Sequence, residues 1–308
     1  MSEPLVSVVI PTRNGFKTLK KVLPAVFNQK LSSSFEVIIV DSESSDGTVD
    51  FAKQFGVRFL SIGKRDFNHG ATRQWAAEQA KGEFVVFLTQ DATPAGENWL
   101  KSLLDAFECA EQVVGAYSRQ IPYPDCHLMD VERILQWFGP DRKIYYLDGI
   151  NWENLSPMEK RLAANFDDVS SCIRRKFLLK FPFKTVPYGE DLEWAKRVLM
   201  GGMRLVYEPS SVVFHSHQRS PLYEFKRRYV DHKVNKAYYG IELFKDWEAV
   251  KHGVLGEWKR NDQKKWFLNR RGVIGTAQVL GTFFGARSIR YGEPLKLSRF
   301  EKWLTRGV

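Results

Sequence analysis

The chain has 308 residues, 44% of them apolar, and a net charge of +10, enough apolar material for one large domain or two smaller ones. Its three cysteines, Cys109, Cys126 and Cys172, have no CxxC spacing, and their odd number makes a poor disulfide framework, which fits a reducing, cytoplasmic setting. No apolar run reaches the ~18 residues that span a bilayer, and Met1-Ser2-Glu3-Pro4 lacks the basic start of a signal peptide. In chain order, residues 5–10 read as a strand closed by Pro11. A helical pattern follows over 16–28, with Leu19, Leu23, Val26 and Phe27 on one side and Pro24 predicting a kink or a split. Residues 37–40 form a second strand that stops at Asp41. Asp46-Gly47-Thr48 then turns into a helix capped by Asp46 or Thr48. Residues 57–62 are a third strand, 70–80 an alanine-rich helix, 83–90 a fourth strand and 113–117 a fifth.

This alternation predicts an α/β fold with a mostly parallel sheet and helices on both faces. It breaks down after Tyr117. Residues 122–125 and 138–141 mark loops, and 143–170 read as irregular with one helix near 157–164. Helices are expected at 175–180, 191–200 and 222–239, with short strands at 204–208 and 212–215.

Two predicted strands end in carboxylates, Asp41 and Asp91, and ligands of open α/β sheets collect at such strand ends. The plain reading of Asp91 is a turn residue or a cap for the helix starting near Glu97. The first strand runs into Pro11-Thr12-Arg13-Asn14-Gly15 over the same edge. The absence of GxGxxG and GxxxxGK[ST] removes the usual dinucleotide cradle and a P-loop ATPase. A sugar nucleotide needs a carboxylate for a pyrimidine N3–H and a divalent cation for its diphosphate. Mg²⁺ and Mn²⁺ both take carboxylate oxygens.

The series Pro11-Thr12-Arg13-Asn14, Asp41-Ser42-Glu43-Ser44-Ser45-Asp46-Gly47-Thr48 and Thr89-Gln90-Asp91 resembles the family 2 glycosyltransferases with the GT-A fold. The resemblance covers roughly residues 5–235. It implies that Pro11, Thr12, Arg13, Asn14 and Asp41 hold the nucleotide and that Gln90 and Asp91 form the metal-binding motif. The chain departs from the family there, since Gln90 and Ala92 replace carboxylates and leave Asp91 as the sole ligand of that loop. Residues 66–73, 115–122 and 214–217 look like the bacterial rhamnosyltransferase branch, which builds O-antigen and related polysaccharides from dTDP-L-rhamnose. Arg73 would then sit near the nucleotide; its plain reading is a solvated helix residue.

Glu190 and Asp191 stand at a predicted helix start, where acidic residues also complement the dipole. The resemblance implies that Asp191 is the general base, with Glu190 the substitute; an inverting transfer needs a carboxylate to accept the attacking hydroxyl's proton. Trp194 is expected to pack rather than to bind sugar. His215 and His217 fall on one side of a strand. The family often completes its metal or diphosphate site with a histidine from this region, and His217 is slightly favoured over His215. Arg219 is a further diphosphate candidate, and Asp167, Asp168, Arg174 and Arg175 are candidates for the acceptor side.

Residues 251–308 hold 13 Lys and Arg against 4 Asp and Glu, a net +9, so the first 250 residues are nearly neutral. Trp258, Trp266, Phe267, Phe283, Phe284, Tyr291, Phe300 and Trp303 interleave with this charge. That composition suits a segment lying on an anionic membrane; a packing subdomain is the plain alternative. No nucleic-acid motif accompanies the charge. The expected layout is a GT-A catalytic domain over 1–240, with a nucleotide half (1–120) and an acceptor half (121–240), and a basic helical extension over 241–308. The expected activity is inverting transfer of L-rhamnose from dTDP-L-rhamnose to a lipid-linked or polysaccharide acceptor, with Mg²⁺ or Mn²⁺, in the cytoplasm or at the inner membrane face. The alternatives are a UDP-hexose donor and a non-catalytic sugar-nucleotide-binding protein.

Overall fold

The structure, a computed structural model, describes residues 3–126, 128–217, 220–259 and 268–304. Its first half alternates as the sequence predicts: β1 (Val6–Thr12), α1 (Phe16–Phe27), β2 (Phe35–Asp41), α2 (Thr48–Lys53), β3 (Arg58–Ser61), α3 (His69–Gln79) and β4 (Phe84–Leu88). Strands β3, β2, β1 and β4 lie side by side and parallel, with Val8 opposite both Val37 and Val86. Val6, Val8, Val9 and Ile10 are fully buried, as are all but Phe84 of the β4 residues. Strands covered on both faces need continuous apolar runs, and each such side chain contributes about 1.5–3 kcal/mol on burial. Helix α1 is continuous across Pro24, and Asn28 N still donates to Pro24 O at 3.0 Å.

Beyond β4 come β5 (Thr93–Pro94), α4 (Trp99–Asp105), β6 (Val113–Ile121), α5 (Leu128–Trp137), β7 (Lys143–Tyr145), α6 (Pro157–Ala163), β8 (Ser170–Arg174), α7 (Arg175–Lys180), α8 (Glu190–Met200) and β9 (Arg204–Phe214). The sheet runs β3-β2-β1-β4-β8-β6-β9-β5, with β7 against β9. Strand β6 does not join β4 directly, because β8 enters between them, antiparallel to both. Strand β8 has no counterpart in the sequence reading, whose irregular stretch ends at Ser170 and whose next helix starts at Arg175. In the fold Ser170 and Ser171 are buried: Trp99 Nε1 and Ser118 Oγ bond to Ser170 Oγ, and Ser171 donates to Asp168 Oδ1. The two short strands expected at 204–208 and 212–215 are one strand, β9, whose register against β6 shifts between Glu208 and Val212, around Pro209.

The first compact unit comprises 1–152, 163–185 and 190–216; the second comprises 153–162, 186–189 and 217–308. The sequence placed a break after 240, at the C-terminus of α9 (Pro221–Tyr239), but α9 belongs to the second unit. The reason is its packing on α11 (Leu268–Arg287). Gly281 and Gly285 let the two backbones approach: an added Cβ would stand 2.3 Å from Phe225 O and 2.1 Å from Tyr229 O. Helix α10 (Trp247–Lys259) adds Val250 to a small core with Val279 and Phe283. In α12 (Arg299–Leu304), buried Glu301 accepts from Tyr229 Oη and pairs with Lys233. Burial raises the Glu301 carboxyl, but hydrogen bonds led by that of Lys233 outweigh it and hold it at about 2. No described helix is long and apolar enough to cross a membrane.

Candidate active site

The parallel strands deliver their carboxyl ends to one edge, and the polar loops after β1, β2 and β4 are tied together there. The loop after β1 is held from two sides. Gln90 accepts from Arg13 N at 3.0 Å and donates back to Arg13 O at 3.2 Å. Asn14, whose φ of 47° is left-handed, donates through its backbone to Ser44 Oγ at 2.8 Å and accepts from Ser45 N at 2.9 Å. Asp46 accepts from Phe16 N and from the backbone and hydroxyl of Thr48; the N-cap of α2 is Gly47, in place of the expected Asp46 or Thr48. The Thr48 hydroxyl, ahead of the backbone donors, holds the Asp46 carboxyl below its ordinary value. A Cβ at Gly15 would meet Gln90 Oε1 at 2.4 Å, so a side chain there would have to displace the Gln90 amide from Arg13. Gln90 is therefore a brace between β4 and the loop after β1.

Asp41 closes β2 beside Thr12, its register partner on β1. Its Oδ2 accepts from Ser44 N at 3.0 Å, while its buried Oδ1 has no hydrogen-bond partner. A buried carboxylate oxygen without a donor is costly, so Oδ1 is ready for an N–H brought by a ligand. The Ser42 and Thr89 hydroxyls are also buried without partners. The loop after β3 adds a hollow lined by Glu43, Gly63, Lys64, Arg65 and Asp66.

Past β4, Asp91 Oδ1 lies 3.7 Å from His215 Nε2 at the end of β9. His215 Nδ1 meets Gln120 Oε1 at 2.8 Å, and Gln120 Nε2 donates to Asp167 Oδ2 at 2.8 Å. Tyr123 Oη donates to Asp91 O at 3.2 Å. Burial, opposed by its bond to Thr93, raises the Tyr123 hydroxyl above its usual range. A carboxylate oxygen facing an imidazole nitrogen is a donor set that fits a divalent cation, and Asp91 and His215 belong to a His/carboxylate group able to share one ion. His217 stands two residues further along, as the first residue of the second unit. Arg219 lies outside the described residues.

The antiparallel course of β8 brings Asp167 and Asp168 to this edge: Leu88 pairs with Ser170, and Thr89 N donates to Val169 O at 3.0 Å. The same course corrects the placement of Arg174 and Arg175 on the acceptor side. Arg174 pairs with Phe84, at the opposite end of β4, and binds Glu83. Arg175 binds the carbonyls of Ala77 and Glu78.

The remaining acidic residues gather around Arg73. Arg73 is 5% exposed, not a solvated helix residue. Its Nη1 donates to Glu190 Oε1 at 2.8 Å, and its Nε lies 3.9 Å from Asp168 Oδ2. The guanidinium that the sequence assigned to the nucleotide thus serves the carboxylates of α8 and the β8 approach. Asp191, half-buried at the start of α8, accepts from Leu192 N at 2.8 Å and from Asp168 N at 3.4 Å. Burial, then the charge of Glu190, pushes the Asp191 carboxyl up to about 6. Burial also drives the Asp168 carboxyl well above its ordinary value, against the pull of Arg73. Glu190 is committed to Arg73, whereas Asp191 is more exposed, so the geometry makes Asp191 the better proton acceptor. Trp194 is fully buried against Phe166 and Phe183. Gln120 escaped the sequence reading as a site residue; its signal was a polar side chain near the end of an apolar strand.

The family model described as "Glycosyl transferase family 2" matches residues 7–181. The O-antigen chain rhamnosyltransferase WbaN of Salmonella anatum is 29% identical over 228 residues, 73% of this chain and 70% of that one. Among solved structures, the mannosyltransferase PcManGT of Pyrobaculum calidifontis, in complex with GDP-Man and Mn²⁺, aligns with TM-score 0.54 at 16% identity, covering 91% of this chain and 70% of that one. S. aureus TarS 1-349 in complex with UDP-GlcNAc aligns with TM-score 0.50 at 15% identity, covering 89% and 90%. The sheet and its flanking helices are therefore a GT-A fold.

Proposed function

The chain belongs to glycosyl transferase family 2 and is a glycosyltransferase; from that premise, we propose that it transfers L-rhamnose from dTDP-L-rhamnose to a hydroxyl of a lipid-linked or polysaccharide acceptor, with inversion. The observation that carries the reading is a continuous run of contacts along one sheet edge. It links Asp91 and His215 through Gln120 to Asp167, and the adjacent Asp168 to Asp191. Groups for a diphosphate and a base for a hydroxyl thus share one edge. The donor sugar rests on the likeness to a rhamnosyltransferase.

In this reading Asp41 Oδ1 accepts the pyrimidine N3–H, and the loop of Pro11, Thr12, Arg13 and Asn14 seats the nucleotide. Asp91 and His215 hold the cation. An imidazole in the donor set suits Mn²⁺ better than Mg²⁺. The bound cation supplies charge to stabilise the departing diphosphate. Asp191 accepts the acceptor hydroxyl's proton as its oxygen bonds to C1, and the C1–O bond to the diphosphate breaks with its electron pair leaving on the nucleotide. Arg73 holds Glu190 in an ion pair and leaves the proton transfer to Asp191.

The basic end is proposed to rest on an anionic membrane at the cytoplasmic face, where a lipid-linked acceptor lies. Trp247, Leu255, Trp258, Phe284, Phe300 and Trp303 are exposed there, consistent with insertion at headgroup depth. Lys264, Lys265, Trp266 and Phe267 lie outside the described residues. The test is a donor panel of dTDP-L-rhamnose and UDP-hexoses, with Mn²⁺, Mg²⁺ or EDTA. Inverted product from dTDP-L-rhamnose, lost in EDTA and in Asp91→Ala, supports the reading. A UDP-hexose as the preferred donor, or full turnover in EDTA, refutes it.

A further inference from the structure

We infer that Gln120 is a positioning residue that decides which nitrogen His215 offers to the edge of the sheet, an inference that rests on the metal reading above. Gln120 is buried on β6, opposite Val213 of β9. His215 is fixed alongside it, its backbone N donating to Ile121 O at 2.9 Å. The Gln120 amide bridges two groups of opposite need. Asp167 is a carboxylate and only accepts, and its Oδ1 already takes Val169 N at 2.9 Å. Its Oδ2 at 2.8 Å must therefore face the amide nitrogen of Gln120. That turns Gln120 Oε1, an acceptor, toward His215 Nδ1 at 2.8 Å.

A neutral imidazole whose Nδ1 faces an acceptor carries its proton there. Nε2 then keeps its lone pair and presents it toward Asp91 Oδ1 at 3.7 Å. Two electron-pair donors facing each other repel unless a cation or a proton stands between them. Asp167, through Gln120, thus sets the histidine in the tautomer that ligates, the service that partners behind metal-bound histidines give in general. A Gln that merely fills a strand position would need neither Asp167 nor a histidine at its other end.

The test uses the full-length protein and three variants, Gln120→Leu, Asp167→Asn and His215→Ala. Mn²⁺ affinity is read from the free-ion resonance in titrations with dTDP present. The His215 tautomer is read by ¹⁵N-histidine NMR of metal-free protein, its signals assigned by their loss in His215→Ala. Melting temperature is followed throughout. Gln120→Leu should weaken Mn²⁺ binding by roughly 10–100-fold and move the His215 proton toward Nε2, with little change in melting temperature. Asp167→Asn keeps the shape but removes the charge that orients the amide. It should give mixed tautomers and an intermediate loss, and it carries the test if Gln120→Leu does not fold. Gln120→Leu with wild-type Mn²⁺ affinity or an unmoved tautomer overturns the inference while His215→Ala still weakens binding. If His215→Ala itself binds Mn²⁺ like wild type, the metal reading falls, and the role of Gln120 with it.

Discussion

Asp191 should impose an acid limb near pH 6 on catalysis. A base works only when ionised, so kcat/KM rises with pH through the carboxyl's pKa and falls below it. Burial and the charge of Glu190 place that pKa at about 6 rather than 3.8. With a value of about 6, roughly 97% of the carboxyl is ionised at pH 7.5 and about 9% at pH 5, a fall of about tenfold. An unshifted aspartate would lose less than about 10% over the same span. Asp191→Asn, nearly isosteric, should lower the rate by roughly 10²–10⁴ and abolish the limb, with nucleotide affinity kept. Glu190→Gln removes the nearby negative charge and leaves Arg73 facing Asp191 and Asp168, so the limb should move to lower pH. The assay is initial-rate transfer between pH 4.5 and 8.5 with nucleotide affinity measured in parallel. A limb centred near 4, or one that survives in Asp191→Asn, refutes the reasoning. Loss of rate in Glu190→Gln but not in Asp191→Asn moves the base by one residue.

Two further outcomes follow from the second unit. Gly285→Ala sets a methyl 2.1 Å from Tyr229 O and should destabilise the α9–α11 pair by about 1–3 kcal/mol in urea unfolding followed by tryptophan fluorescence, whereas Gly256→Ala, with nothing within 4 Å, should not. Full-length protein should sediment with anionic liposomes and be released only in part by high salt, because charge attraction is screened while inserted aromatics are not. Replacing exposed Phe300 and Trp303 with Ser should enlarge the salt-released share; indifference to anionic liposomes at low salt removes membrane docking from the account.

The first strands were legible because both faces of a parallel sheet are covered, so residues 8–10 of β1, 37–40 of β2 and 84–88 of β4 are apolar runs ahead of Thr12, Asp41 and the Thr89-Gln90-Asp91 turn. Strand β8 was hidden because only Cys172 and Ile173 of its five residues are buried apolar side chains, while Ser170 bonds to Trp99 and Ser118 and Ser171 to Asp168. Arg73 was expected beside the nucleotide, and its ion pair with Glu190 could not be foreseen because Glu190 lies 117 positions away, beyond any local pattern. Arg174 and Arg175 were misplaced for the same reason, since only the antiparallel entry of β8 reveals which end of the sheet they reach. Asp191 was found through family resemblance; its advantage over Glu190 became visible once Arg73 was seen to claim Glu190.

The most direct test of the account is crystallographic: crystals grown with dTDP and Mn²⁺, with data collected at the manganese absorption edge. The account predicts an anomalous peak bonded to Asp91 and to His215 Nε2, and a thymine ring whose N3–H meets Asp41 Oδ1. A nucleotide whose base lies away from Asp41, or a manganese peak away from Asp91 and His215, would contradict it.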